Sequence, residues 1–259
     1  MQYPMQLSVS GALSNLYRQD VLTNNLSNIN TPGFKPDTPV LRQRDPVSEE
    51  DGVPFLPSNS LLERLGAGAT PAFNRISFQQ GAVEPTGSPL DAAIDGDGFF
   101  LVRTGGNGNA DSIRLTRDGR FTLDAEGRLV MATSGSAVLD DGNGEIRLDR
   151  NLPVTIARDG TVTQGGESVA KLALMMPEDP QRLVKEGESL FTGPADVLDN
   201  LDDAPGIIRQ GHLERAAVDE IRAMMQIASA SGTAQRNLGM ITYHDRLLDQ
   251  AINTFGRVG

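Results

Sequence analysis

Apolar side chains recur at helical spacing at both ends of this chain, and the middle has a different character. From Met5, apolar or small residues recur at Val9, Ala12, Leu16 and Leu26, with Gln19 and Thr23 in the intermediate slots. Leu13 and Ile29 broaden that stripe. Asn28-Ile29-Asn30-Thr31-Pro32-Gly33 ends it, because a pre-proline residue, a proline and a glycine together stop a helix. At the other end the stripe is Ala217, Ile221, Met224, Ala228, Leu238, Ile241, Leu248, Ile252 and Phe255. With Ser231, Gln235 and Asp245 in line the gaps alternate between three and four, over about 40 residues, long for a globular helix. Gly232 and Gly239 weaken it locally.

The centre reads as short strands. Gly98-Phe99-Phe100-Leu101-Val102 is a compact apolar run, and Ile113-Arg114-Leu115-Thr116 alternates. Arg117-Asp118-Gly119 and Arg158-Asp159-Gly160 read as Asp-Gly turns, the second leading into Thr161-Val162-Thr163. Asp124-Ala125-Glu126-Gly127 lies between Phe121-Thr122-Leu123 and Arg128-Leu129-Val130 as a hairpin loop, and residues 171–176 form a further strand candidate. Closely spaced short strands without helical crossovers predict an antiparallel, barrel-like β domain, and exclude a doubly wound α/β fold. Pro36, Pro39, Pro46, Pro54 and Pro57, with Glu49-Glu50-Asp51, mark residues 35–70 as an extended connector. The expected class is therefore α+β, with terminal helices, this connector, and a central all-β domain over residues 71–212.

Charge follows the same division. Residues 1–34 hold only Arg18 and Asp20, and residues 213–259 hold five acids and five bases. The whole net charge of −11 thus sits in the middle, with 17 basic against 28 acidic residues. That balance opposes phosphate-driven nucleic-acid binding, so no nucleic-acid partner is expected. The chain has no Cys, which removes disulfides, zinc-thiolate sites, Fe–S clusters and thiol nucleophiles. The longest apolar stretch, such as Leu172 to Met176, falls far short of the roughly 20 residues of a membrane span. No secretory signal peptide is read either, since the first basic residue is Arg18 and no apolar region follows the start.

Candidate chemistry is sparse. Asp95-Gly96-Asp97-Gly98 and Asp141-Gly142-Asn143-Gly144-Glu145 resemble calcium loops superficially, but Phe99 and Ile146 occupy positions that the EF-hand pattern reserves for a ligand and a glycine. Gly105-Gly106-Asn107-Gly108-Asn109-Ala110 lacks the aspartate of a calcium nonapeptide, and Gly66-Ala67-Gly68-Ala69 lacks the third glycine of a dinucleotide fingerprint. All four read as turns or loops. His244 has Asp245 beside it and lies on the C-terminal helix, where a solvated or interface role is expected; His212 is expected near the N-cap of that helix. Paired carboxylates have no sequence signature, so an enzyme acting on cell-wall glycan remains a rival reading, as does a coiled-coil-tethered β-rich adhesin. No catalytic residue, metal or cofactor is expected.

The apolar stripes suggest more than the inside of a bundle. Two helices separated by residues 35–212 have to make their own core, and a lone helix pair leaves much of each stripe wet. Neighbouring copies of the chain would cover it, so self-association through the ends is expected.

A family resemblance enters with Asn24-Asn25-Leu26-Ser27-Asn28-Ile29-Asn30-Thr31-Pro32-Gly33-Phe34-Lys35, which is similar to the N-terminal signature of bacterial flagellar rod and hook proteins. Gly87-Ser88-Pro89-Leu90-Asp91, followed by Ile94 and residues 98–102, resembles that family's entry into its β domain. Leu115-Thr116-Arg117-Asp118-Gly119-Arg120-Phe121 with Asp124, Gly127 and Leu129-Val130 is a third match. Gly211-His212-Leu213-Glu214 with Val218 and residues 224–227 is a weaker fourth. Two places depart from the family pattern: Ala234-Gln235-Arg236-Asn237-Leu238 replaces an Arg-aromatic-Tyr-Glu-like run, and Arg215-Ala216-Ala217 replaces Gly-Ser-Asn. The length resembles the proximal and distal rod proteins, both of which stay open, with a slight lean to the proximal.

The resemblance implies a structural subunit of the basal-body rod without catalytic activity. Residues 1–34 and 213–259 would pair as an inner coiled coil, and many copies would pack helically into a tubular axle with the β domain outside. Partners would be like subunits, other rod and hook axial proteins, and the flagellar type III export apparatus. The place would be the rod in the periplasmic space, reached without cleavage of the N-terminus. The interface residues expected are Leu16, Leu26, Ile29 and Phe34 at one end and Ile221, Met224, Leu238, Leu248 and Ile252 at the other. Asn24, Asn25, Asn28, Asn30, Thr31 and Gly33 carry the family motif.

Overall fold

A computed structural model describes residues 2–43, 68–105 and 113–255. Most of the connector expected over residues 35–70 lies outside the described residues, as does most of Gly105 to Ala110. The class is mixed α+β, with long helices at the two ends and a predominantly β centre. The chain divides into two compact units, Met1–Ser27 with Asp37–Arg75 and Asp219–Gly259, and Asn28–Pro36 with Ile76–Val218.

The first unit is built on helices. Helix α1 runs Gln2–Ser27, a one-turn helix α2 in the other unit runs Ala195–Leu198, and helix α3 runs Glu220–Phe255. At about 1.5 Å per residue, the 26 residues of α1 and 36 residues of α3 extend roughly 39 and 54 Å. Asp219 starts α3: its carboxylate accepts from the Arg222 N–H at 3.0 Å, which satisfies one of the free donors of the first turn. His212 was expected at this cap. It lies instead in the strand His212–Glu214, opposite Pro85, because the cap needs an acceptor immediately before the helix and Asp219 supplies it. Helices α1 and α3 pack against each other. A two-stranded antiparallel ladder, Leu41–Gln43 against Ala69–Pro71, docks on α1 through the Ser10 and Ser14 hydroxyls, which donate to the Ala69 carbonyl at 2.7 and 2.9 Å.

The second unit centres on a nine-stranded antiparallel sheet among the described residues. Its path runs Val184–Gly187, Leu190–Thr192, Ile113–Thr116, Phe99–Arg103, Ala137–Val138, Leu129–Met131, Phe121–Leu123, with Leu174–Pro177 pairing Phe99–Arg103 and Leu201–Asp203 beside it. The two ends of this path do not pair, so the sheet stays open where a barrel was expected. Strand Phe99–Arg103 explains the apolar run in the sequence. Successive side chains point to opposite faces, and both faces are covered: Phe100 and Val102 enter one core with Ile94, Phe121, Met131 and Ile208, while Phe99 and Leu101 enter another with Leu115 and Phe191. Phe78, Phe99 and Phe191 meet in that second core with ring centroids 5.6–5.8 Å apart, in edge and tilted geometries.

The turns divide. Asp124 to Gly127 forms the expected hairpin loop, with Leu123 opposite Leu129 and Gly127 at φ +76°. Arg158-Asp159-Gly160 also turns as expected, into the strand Thr161–Gln164. Arg117-Asp118-Gly119 differs: the strands it joins do not pair with each other, and all three residues are buried. A Cβ at Gly119 would lie 1.7 Å from the Ala92 carbonyl oxygen, so this segment is a buried crossing between parts of the sheet. The strand candidate over residues 171–176 splits into Glu167–Lys171 and Leu174–Pro177. Among the described residues no helix is long and apolar enough to cross a membrane.

Candidate assembly interface and its motif latch

Small residues line the contact between α1 and α3. On α3 the buried positions are Ala223, Ala230 and Ala234, and on α1 they include Ala12, Ser14, Val21, Leu22 and Asn25. A Cβ at Gly11 would stand 2.7 Å from the Asn237 side chain, so the helices approach closely there. Apart from Val21 and Leu22, most of the larger apolar side chains on these helices face elsewhere. Met5, Val9, Leu13 and Leu16 on α1 are exposed, as are Ile221, Met224, Met225, Leu238, Met240, Leu247 and Ile252 on α3. Of the residues expected at an interface, Leu16, Ile221, Met224, Leu238 and Ile252 are thus uncovered, while Leu26 and Leu248 are half-buried. Large apolar residues left in water on both long helices make these faces candidates for contact with other chains.

Ile29 and Phe34 lie apart from those rows, half-buried in the second unit. There the segment that follows α1 is held by a latch. Thr31 donates its backbone N–H to the Asn28 carbonyl at 3.0 Å and its hydroxyl to the Asn28 side chain at 3.2 Å, closing a turn. Gly33, at φ +68°, donates its N–H to the Glu214 carbonyl at 2.8 Å. A Cβ at this position would fall 2.3 Å from the Arg117 carbonyl carbon, so both the backbone conformation and the space require glycine. Phe34 presents its ring to the Lys185 ammonium, 4.4 Å from the centroid. The hairpin tip Glu188-Ser189 has φ of +49° and +60°, and the Ser189 hydroxyl reaches the Pro32 carbonyl at 3.5 Å.

Lys35 closes the latch. It is 1% exposed and its ammonium donates to Glu214 Oε1 at 2.5 Å and to the Gln79 carbonyl at 3.1 Å. Glu214, also 1% exposed, further accepts from the Gly81 N–H at 2.8 Å and from Arg117 Nη1 at 3.3 Å. Arg117, 3% exposed, lies with its guanidinium carbon 5.2 Å from the Phe99 ring centroid. Burial pushes the Lys35 ammonium and the Arg117 guanidinium below their ordinary ranges, and the Glu214 charge opposes both shifts. One carboxylate thus pairs with two buried cations. Three of the sequence motifs meet at this point: Lys35 closes the first, Arg117 lies in the third and Glu214 lies in the fourth.

The remaining motif residues lie nearby in sequence. Asn25 is buried in the first unit, where its amide donates to the Asp37 carbonyl at 2.7 Å and accepts from the Asp37 N–H at 2.9 Å. Asn24 and Asn30 are exposed. Carboxylates of the calcium-like segments are engaged by side chains from elsewhere: Asp95 accepts from Gln80 at 3.4 Å and pairs with Arg209, and Glu145 pairs with Arg128 at 3.5 Å. Among the described residues no three His, Asp or Glu side chains converge as a metal-ligand set. His244 is half-buried on α3, its ring 6.3 Å from that of Tyr243.

Long helices with exposed apolar residues in one unit, and a latched β-rich fold in the other, are features of a structural protein. The chain belongs to the flagellar basal-body rod protein family. The family described as flagella basal body rod protein matches residues 5–35, and the one described as flagellar hook protein FlgE/F/G D1 domain matches residues 93–164. The chain is 33% identical over 250 residues to the flagellar basal-body rod protein FlgF of Caulobacter vibrioides, covering 92% of each. It is 29% identical over 263 residues to the flagellar basal-body rod protein FlgG of Bacillus subtilis, covering 95% of this chain and 96% of that one. It is also 30% identical over 262 residues to the flagellar hook-basal body complex protein FlhP of Bacillus subtilis, covering 93% and 96%. These relatives are structural proteins of the flagellum, not enzymes.

Proposed function

We propose that the chain is a subunit of the flagellar rod and that it polymerises through its terminal helices into a helical, tubular axle. The single observation that carries this reading is the set of large apolar side chains left exposed along both α1 and α3, from Met5 to Leu16 and from Ile221 to Ile252. Covering one such side chain contributes roughly 1.5–3 kcal/mol, so a contact that covers several of them favours association. The ends carry almost no net charge, so like subunits can approach without building up repulsion. In this reading residues 1–34 and 213–259 pair as an inner coiled coil, residues 35–70 connect, and residues 71–212 form an outer β domain. Leu16, Leu26, Ile221, Met224, Leu238, Leu248 and Ile252 supply the contacts between copies, with Ile29 and Phe34 at the base of α1. Contacts of unlike patches that do not close on themselves generate an open filament. The rod crosses the periplasmic space, its subunits leave through the flagellar type III apparatus with the N-terminus uncleaved, and they join other axial proteins at its ends.

The test is sedimentation of the purified chain over a concentration series, with circular dichroism on the same samples. Open-ended growth with a gain of helix is expected. A discrete small oligomer would point to the tethered adhesin, and turnover of peptidoglycan to a glycan-acting enzyme; either result overturns the rod reading.

A further inference from the structure

Phe73 is 98% exposed, more than any other large apolar side chain among the described residues. The backbone around it is firmly held. The Tyr17 hydroxyl of α1 donates to the Asn74 side chain at 2.8 Å and reaches the Ala72 carbonyl at 3.4 Å, and the Ala72 N–H donates to the Val40 carbonyl at 2.9 Å. Tyr17 thus holds the residues on either side of Phe73, while the Phe73 side chain itself is exposed. The phenyl ring stands out in water from an anchored base.

The same unit carries a matching hollow. Where α3 begins, an open groove of about 510 Å³ is lined by Arg18 of α1 and by Ile221, Arg222 and Met225 of α3. That size lies within the range of roughly 300–1,000 Å³ typical of sites that hold small organic groups. Its floor is apolar and accessible, with Ile221 at 74% and Met225 at 69% exposure. An aliphatic and thioether floor suits the edge of a phenyl ring, and the two guanidinium groups suit its electron-rich face. Phe73 does not fill this groove in its own chain, since almost all of its surface is free.

We infer that Phe73 of one copy inserts into the Ile221–Met225 groove of the next. The contact joins unlike patches on identical units, the kind of contact that passes from copy to copy in an open filament. An aromatic residue on a held backbone, entering a groove whose Ile221 and Met225 are rimmed by Arg18, Asp219 and Arg222, has the form of an interface hot spot. This inference rests on the rod-subunit reading and names one contact of that assembly.

The test replaces Phe73 with p-benzoylphenylalanine, which keeps an aromatic ring at the site, and polymerises an equal mixture of isotopically light and heavy chains. Irradiation is expected to give light–heavy cross-links that mass spectrometry maps to residues 221–229. In parallel, Phe73→Ala and Met225→Ala are each expected to raise the critical concentration for assembly at least about tenfold. The double variant is expected to be little worse than either alone, as for partners in one contact. Both positions are exposed, so circular dichroism of the monomers is expected to be unchanged. Filaments that form with an unshifted critical concentration in Phe73→Ala, or cross-links that fall outside residues 221–229, overturn the inference and leave the rod reading intact. A wild-type chain that never polymerises overturns both.

Discussion

Lys35 and Glu214 are 179 residues apart in the chain and 2.5 Å apart in the fold, where neither is open to water. Lys35 lies eight positions beyond the last residue of α1, and Glu214 six positions before the first residue of α3. The segments next to the two long helices are therefore fastened to one ionic node inside the β-rich unit. Arg117, from the buried crossing between strands, is the third member.

Glu214→Gln removes, among the described residues, the only anion hydrogen-bonded to the two buried cations. Leaving a buried charge without its partner costs about 3–5 kcal/mol. The variant is expected to show a lowered urea midpoint with an unchanged slope. Lys35→Met should cost less, because Glu214 keeps Arg117 and the Gly81 N–H. A Glu214→Gln chain as stable as the wild type would show that the node contributes nothing net.

Gly33 and Gly87 have similar φ, +68° and +76°, but different surroundings. A Cβ at Gly87 meets nothing within 4 Å, whereas one at Gly33 meets Arg117 backbone at 2.3 Å. Gly87→Ala is expected to cost about 1–2 kcal/mol, the strain of the left-handed backbone alone. Gly33→Ala should cost clearly more, since Thr31 to Lys35 must withdraw from Arg117. Thermal unfolding of the two variants side by side measures the difference, and equal losses would count against the close approach.

Asp159 accepts from the Thr161 N–H at 3.1 Å and from the Thr161 hydroxyl at 2.9 Å, and these bonds hold its carboxyl below the ordinary aspartate value. The native group is thus the stronger acid, and the unfolded state binds more protons between the two values. Its contribution to stability is complete above the unfolded value of about 3.9 and is lost as pH falls through the lower native value. NMR titration should place the Asp159 carboxyl below that reference in the wild type and closer to it in Thr161→Val. A Thr161→Val titration that coincides with the wild type would sink this account.

Leu16→Asp and Ile221→Asp place a carboxylate on the exposed rows of α1 and α3. Both residues are already in water in the single chain, so unfolding of the β-rich unit should be unchanged within about 0.5 kcal/mol. Polymerisation should be abolished or strongly weakened, because a charge would have to be desolvated at each contact. Sedimentation reads the second effect and calorimetry the first. Normal filaments from either variant would show that its row faces no neighbour.

Much of the secondary structure was legible, because two periods differ so plainly along this chain. The 3.6-residue recurrence located α1 and α3, and the run Phe99 to Val102 signalled a strand covered on both faces. Sequence pattern did not show which side of each helix turns inward. Small and large apolar residues both recur at helical spacing, and only the approach of Gly11 to Asn237 selects the small side as the contact. Asp118-Gly119 misled for a related reason: turn chemistry specifies a bend and says nothing about burial. The Lys35–Glu214–Arg117 node left no spacing to read, since its members come from three distant segments. Its one signal was that each already belonged to a motif. Phe73 left none, because its exposure depends on Tyr17 holding both of its neighbours.

The seam between α1 and α3 has a consequence for any polymer built from this chain. Alanine and glycine keep the two helices close, so the pair is slender, and the thickness of the pair sets how far apart neighbouring pairs can lie. A single bulky residue at Ala230 or Ala234 would widen every repeat by the same increment. A change too small to unfold one subunit would then alter the calibre of the whole shaft.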